Sequence, residues 1–222
     1  FSTETYPSQN ADSPINSTSQ HQIGSGTVEY FDGYLADFFL IDGSQLDPTS
    51  FGAYDDNGVW QAIGYSGTFG TNGFHLLDFA NESTIGHDSS GNENDFTANN
   101  FVAAAGALVS GGKSEAVSFD GVDDSLNYSN DSDLEPGTGN FTLECFVYRH
   151  TGQISMYYGQ SSGNMGIRVR SNGALGVERR AVAFDLLGTA GDVPDNQWSH
   201  IAVTRHAGTM RTYVNGSHKS TA

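Results

Sequence analysis

Positive charge is what this 222-residue sequence has least of. Nine lysines and arginines stand against 26 aspartates and glutamates, a formal net charge of −17 with histidine neutral. Nucleic acids and anionic membrane surfaces are recognised through a basic footprint, so this balance excludes both as partners. A single cysteine, Cys145, rules out an internal disulfide, and the fold has to stand on its core. Cys145 alternates with Phe141, Leu143 and Val147, the pattern of a buried, inert thiol. No run approaches the ~20 apolar residues of a membrane-spanning helix, so membrane insertion is not expected. Helical patterning is nearly absent too: only Phe101 to Leu108 has the composition for a turn or two. The sequence begins at Phe1, as a processed chain or a piece of a longer one does, and the lack of a leader says nothing about export.

What is present points to strands. Twenty-eight glycines and 12% aromatics suit many short strands joined by tight turns. The length allows one large sandwich or two modest domains, each with a core. Ile201, Val203 and Arg205 alternate with Ala202 and Thr204, and His206-Ala-Gly-Thr209 then turns the chain into Met210, Thr212 and Val214. This predicts a hairpin with one buried face. A second hairpin is predicted over Gly166 to Glu178, with Asn172-Gly173 supplying the positive φ angles of a primed two-residue turn. Trp198 opens the first of these strands and reads as structural, and His200 and His206 show no metal-ligand spacing. The fold class expected is all-β, an antiparallel sandwich.

Several motifs narrow this further: Asp78-Phe79, Asp88-Ser-Ser-Gly-Asn-Glu-Asn-Asp95, Ala116-Val-Ser-Phe-Asp-Gly-Val-Asp-Asp124, Phe141 to Val147, Trp198 to Arg205 and Arg211-Thr-Tyr-Val-Asn-Gly216. Over roughly the last two thirds of the chain this series resembles the laminin G-like, concanavalin A-like sandwich family, whose fold is a jelly roll. In that family the Tyr-Val-Asn-Gly strand is followed by a closing strand of the form Phe-Asp-Gly-x-Leu-x-Asp and three apolar residues. Here that form stands at the other end, as Tyr30-Phe-Asp-Gly-Tyr-Leu-Ala-Asp-Phe-Phe-Leu-Ile-Asp-Gly43. The resemblance therefore divides the chain into residues 1–52, carrying a closing strand, a Gly/aromatic connector at 53–76, and a sandwich at 77–222 without its last strand. Phe1 to Gly26 reads as the linker that would follow Ala222.

The rotated order leaves three situations open: a circular permutant that fills its own sheet, a strand donated to a neighbouring copy, or a window cut from a tandem array. In each, Tyr34, Leu35, Phe38, Phe39, Leu40 and Ile41 form the assembly strand, and its partner is expected beside Tyr213. The second and third situations imply a linear assembly of copies of the chain. The segment Leu40 to Gly52, with Gly58-Val-Trp60 and Tyr65 to Leu76, is similar to segments of structural and tail-fibre-like proteins of tailed bacteriophages. That likeness implies a virion-surface or extracellular setting, with copies of itself or other virion proteins as partners.

Catalysis finds little support. Glucanases of the same fold resemble one another in a Glu-x-Asp-x-x-Glu strand, which sets two carboxylates about 5 to 5.5 Å apart. Glu144 comes nearest by location, yet its strand continues Cys145-Phe146-Val147-Tyr148 with no second acid. There is no Gly-x-Ser-x-Gly elbow and no His-Glu-x-x-His pair, so a non-enzymatic protein is expected. Two acidic loops offer hard oxygens for calcium: Asp88, Asn92, Asn94 and Asp95 around Gly91, and Asp120, Asp123 and Asp124 around Gly121. The alternative for both is that they form Asx turns. Arg168, Arg170, Arg179 and Arg180 gather on the second predicted hairpin, either as a dock for an anionic host glycan or as partners of the surplus carboxylates. Tyr157, Tyr158, Trp60 and Tyr65 are the candidates for stacking on sugar rings, with core or rim packing as the alternative.

Overall fold

A computed structural model of the chain describes residues 20–26, 30–79, 84–101, 116–129, 139–150, 155–160, 165–179 and 183–221; of 155–157, 159–160, 165, 178–179 and 183–186 it describes the backbone. The strands are β1 (His21–Ile23), β2 (Asp32–Asp42), β3 (Gly52–Tyr54), β4 (Trp60–Ala62), β5 (Phe74–Leu76), β6 (Thr97–Asn99), β7 (Ala116–Asp120) and β8 (Ser125–Tyr128). They continue as β9 (Phe141–Arg149), β10 (Ser155–Gln160), β11 (Met165–Val169), β12 (Leu175–Arg179), β13 (Ala183–Leu187), β14 (Trp198–His206), β15 (Thr209–Val214) and β16 (Ser217–Thr221). Among the described residues the one helical feature is a short 3-10 turn at Pro48–Ser50, capped by the Asp47 carboxylate. Phe101 to Leu108, whose composition allows a turn or two but whose neighbours argue for loop or strand, falls, beyond Phe101, outside the described residues.

Two antiparallel sheets face each other. One runs β13-β12-β11-β10-β1-β8-β6 and the other β16-β15-β14-β9-β2-β5, with β7 also pairing to β2. Alternate residues of both meet in a single core. Ile23, Leu126, Tyr158, Ile167, Val169 and Val177 come from the first sheet; Leu35, Phe38, Leu40, Leu143, Cys145, Val147, Ile201 and Val203 come from the second. The expected antiparallel sandwich is the fold observed, and Cys145 is a buried thiol whose ionisation burial opposes.

The strands from the N-terminal end occupy the middle of both sheets. β1 lies between β10 and β8, and β2 lies between β9 on one side and β7 and β5 on the other. β2 serves two partners along one edge because an extra residue, Asp37, interrupts its pairing with β9 between Ala36 and Phe39. Asp37 takes up the left-handed conformation at φ 48, a region its short polar side chain tolerates. Tyr34 to Ile41 thus pairs within this chain, and the sandwich draws strands from both sides of residue 76.

Four local expectations are corrected. The stretch read as linker contributes β1, because His21 and Ile23 alternate into the core while Gln22 stays half-buried; three residues are too few to show a period in sequence. The strand beside Tyr213 is not β2: Tyr213 pairs with Ala202 of β14 and His218 of β16, and β2 joins the sheet next to β9. The loop at Asn172-Gly173 is a three-residue turn, Ser171 to Gly173. The Arg170 N–H donates to the Ala174 carbonyl and the Gly173 N–H to the Arg170 carbonyl. Only Gly173 has positive φ (82), so Asn172 instead accepts a bond from the Ala174 N–H on its side chain. Finally, β14 is buried on both faces rather than one, since further chain covers its outer side.

Candidate functional site

The outer face of the second sheet is divided into an open half and a covered half. Register places Tyr34 of β2 opposite Tyr148 of β9, and Tyr148 opposite Trp198 of β14. Side chains directly opposite on neighbouring strands share a face, so the three rings form one row across two inter-strand gaps, roughly 10 Å wide. Ring centroids lie 5.7 Å apart for Tyr34–Tyr148 and 5.8 Å for Tyr148–Trp198. His150 completes the group at 5.6 Å from Tyr34, its Nδ1 2.6 Å from Asp32 Oδ1. Phe146 follows on the same face of β9. All five rings are half-buried, and Tyr34–Tyr148, Tyr34–His150 and Tyr148–Trp198 pack edge to face.

Beyond Phe146 the face is covered. Residues 44–73 cross it, anchored by the Leu46 N–H on Thr142 Oγ1 (2.7 Å), the Gln45 amide on Thr204 Oγ1 (2.9 Å) and the Tyr54 hydroxyl on the Asn215 carbonyl (2.7 Å). A second apolar cluster forms beneath this connector, where Phe39, Ile41 and Phe51 are buried with Leu46, Tyr65 and Phe69 packed on them. Glu144 and His200 are sealed in the same half, with Glu144 Oε2 against His200 Nε2 and no exposed side-chain surface on either. Burial holds the Glu144 carboxyl well above the usual range, helped by the charge of Asp37, and pushes His200 down to about 3.

The two acidic loops differ. Asp88 is buried, and its carboxylate accepts from the backbone N–H groups of His75, Ser90 and Asn94 and from the Ser90 hydroxyl. Asp95 Oδ1 accepts the Asp88 N–H, while the Asn92 and Asn94 amides donate to the Gly73 carbonyl. The loop is a staple of Asx turns in which both Asp88 oxygens are engaged. Asp120, Asp123 and Asp124, by contrast, bring one ligand atom each within 4.8 Å of the others. Asp120 and Asp124 also accept backbone N–H groups of this turn. Burial, and the charges of Asp120 and Asp123, raise the Asp124 carboxyl. Asp32, paired across the strands with Asp120, brings a fourth carboxylate alongside.

The remaining candidates lie elsewhere. Arg168 and Arg170 share the outer side of the first sheet, opposite Ile167 and Val169 as expected, and so stand on the far face of the sandwich from the aromatic row. The side chains of Arg179 and Tyr157, and all of Arg180, lie outside the described residues. Tyr158 is corrected: it is wholly buried, stacked on His21 at 5.3 Å, and has no face to offer a sugar. Trp60 packs between Tyr54 (4.9 Å) and His200 (5.8 Å), and Tyr65 against Phe51 (5.0 Å), so both belong to the connector's packing. Leu35, Phe38 and Leu40 face the core and Phe39 and Ile41 the connector, which leaves Tyr34 as the one open ring of the assembly strand. Sequence reasoning passed over Tyr148, Phe146 and His150 and took Trp198 for a purely structural residue. The available signal was the alternation of Phe146 and Tyr148 against Cys145 and Val147; their meeting with Tyr34 and Trp198 depends on register across three strands.

No curated protein and no solved structure matches the chain. The family model of the laminin G type, described as the concanavalin A-like lectin/glucanases superfamily, matches residues 119–222, from the last core residue before the acidic turn through β16. Fold and match agree: the chain is an all-β antiparallel sandwich, consistent with the concanavalin A-like form, and residues 119–222 carry the family pattern.

Proposed function

We propose that this protein is a non-enzymatic binding module that displays a rigid β-sandwich at a phage virion surface and contacts host saccharide through the Tyr34–Tyr148–Trp198 row. The observation that carries the reading is that row itself: three half-buried rings held side by side on adjacent strands, whose positions the sheet register dictates. Aromatic faces held rigidly lose little entropy on binding, and a sugar ring presents an apolar C–H face to them. The carboxyl–imidazole pair on the same sheet is sealed away, which supports binding over hydrolysis. Calcium enters this reading at Asp120, Asp123 and Asp124, where a cation would relieve the crowding of like charges; carbonyls and water would complete its shell. The virion setting is supported by the likeness of the connector to segments of phage structural proteins. Copies of the chain or other virion proteins would meet it at sheet edges such as β16, since β2 is flanked on both sides.

A glycan array probed with the whole chain tests the saccharide contact. Binding is expected for the native protein, with a loss of at least about tenfold in Trp198→Ala, equivalent to about 1.4 kcal/mol. An array on which nothing binds, or equal binding by Trp198→Ala, removes the aromatic row from the reading. Immunogold labelling of particles separates the settings: label on virions supports the surface component, while saccharide binding without label leaves a free extracellular lectin.

A further inference from the structure

The covered half of the sheet holds a pair of titratable groups that saccharide contact does not use. Glu144 and His200 are fully enclosed and touch each other, while Glu144 Oε1 and His200 Nδ1 have no hydrogen-bond partner among the described residues. The pair is enclosed by the connector, not by the sandwich core. The Trp60 ring stands 5.8 Å from the His200 ring and packs against Gly52 and Gly216; Tyr54 backs Trp60 and reaches the Asn215 carbonyl. Asn215 in turn accepts the His200 N–H on its side chain and donates its own N–H to the His200 carbonyl. The other groups facing the pair are Asp37 from the β2 bulge and His75 of β5, 3.6 Å from Asp37. Tyr213 of β15 lies beside Ala202 on the same face, Tyr65 of the connector packs over Phe39, and the Cys145 thiol lies behind Glu144 on the core side.

We propose that Glu144 and His200 form a proton-coupled latch for the connector, which stays shut over them while the pair holds one proton between its two members. An enclosed pair with one shared proton carries no net charge, and that is the form a dry site accepts. Once the connector lifts, each group titrates as an exposed side chain, glutamate near 4.5 and histidine near 6.5. Between those values the open pair also holds one proton, and opening is independent of pH. Above 6.5 the open pair holds none, so opening releases a proton and is favoured as pH rises through the range where Glu144 remains protonated inside. Below 4.5 it holds two, so opening takes one up and is favoured as pH falls toward the lowered value of His200. Asp37 adds to the upper arm, because its charge opposes a second negative charge on Glu144. The latch is tightest in mild acid and loosens toward neutral and alkaline pH.

Hydrogen exchange of residues 52–62, corrected for the intrinsic chemistry of exchange and followed from pH 5 to 9, reads the opening directly. The native protein is expected to show a plateau to about pH 6.5, then an increase in opening approaching tenfold per pH unit, the signature of one released proton. Glu144→Gln, which is neutral at every pH and has no proton to lose, is expected to be flat above 6.5. A flat native profile, or the same slope in Glu144→Gln, overturns the proposal. Should that variant not fold, the imidazole resonances of His200 in the unaltered protein decide: an uncharged ring at pH 5 upholds the latch, and titration near 6.5 overturns it. Neither readout involves saccharide, so the latch and the proposed function stand or fall separately.

Discussion

Arg149 shows how one residue holds an end of the sandwich together. Its side chain is buried, yet it is a cation: Nε donates to Asp195 Oδ1 at 2.6 Å, and the guanidinium NH groups donate to the Arg170 and Ser171 carbonyls at 2.8 and 3.2 Å. Its own carbonyl accepts the Asn196 N–H. One planar fork therefore ties β9 to the β11–β12 hairpin and to the loop before β14, a geometry that lysine does not reproduce. Replacing Arg149 with alanine removes the guanidinium donors from the Asp195 carboxylate and from the Arg170 and Ser171 carbonyls at once. The expected cost is about 3 kcal/mol in urea-induced unfolding, and a loss under about 1 kcal/mol would show that water replaces the guanidinium. At this scale sequence is least legible. Arg149 falls in the inward phase of β9, where alternation predicts an apolar residue, and Tyr158 carries the same polar tip whether buried or exposed. What decides each case is a neighbour distant in sequence: Asp195 for one, His21 for the other.

Turn chemistry is where local sequence speaks most directly, and where it also misleads. The β14–β15 hairpin turns at Ala207-Gly208, both with positive φ (47 and 82), between the paired residues His206 and Thr209. Alanine in that conformation is strained, whereas asparagine is the residue that a primed turn prefers. Ala207→Asn keeps the N–H that bonds Asn140 and is expected to add ~0.5–1 kcal/mol, a rise of about 2 °C in Tm. An unchanged or lower Tm would mean that the turn is not strained. Asn172-Gly173 has the preferred dipeptide yet forms a longer turn, because the Arg170–Ala174 pair closes the loop one residue further out. Register between strands outranks the dipeptide signal. The same holds for β2, whose apolar run was legible while its central place in the sheet was not: Leu35 and Phe38, three positions apart, share the core face because Asp37 is an extra residue.

For the whole molecule, charge is the dominant fact. At a net charge of −17 the compact state repels itself, so any cation stabilises it by screening. A calcium site at Asp120, Asp123 and Asp124 must therefore show itself above that background. Millimolar calcium is expected to raise the Tm of chelator-treated protein by more than magnesium does at equal ionic strength, because magnesium keeps its water more tightly. Equal shifts would reduce the cluster to part of an acidic surface.

Alternation of apolar residues, abundant glycine and a lone buried cysteine were enough to determine an all-β antiparallel sandwich, because burial on one face is a property each strand declares by itself. The motif order, through its resemblance to the family, led to the expectation of a closing strand at Tyr30 to Gly43. Only the tertiary structure decided where that strand goes, and it pairs with β9 in the middle of its own chain's sheet. Only the tertiary structure, too, assembled Tyr34, Tyr148 and Trp198 into one row and sealed Glu144 with His200 under the connector. Both sites join residues fifty or more positions apart, and nothing local to any one strand records which strand will lie beside it.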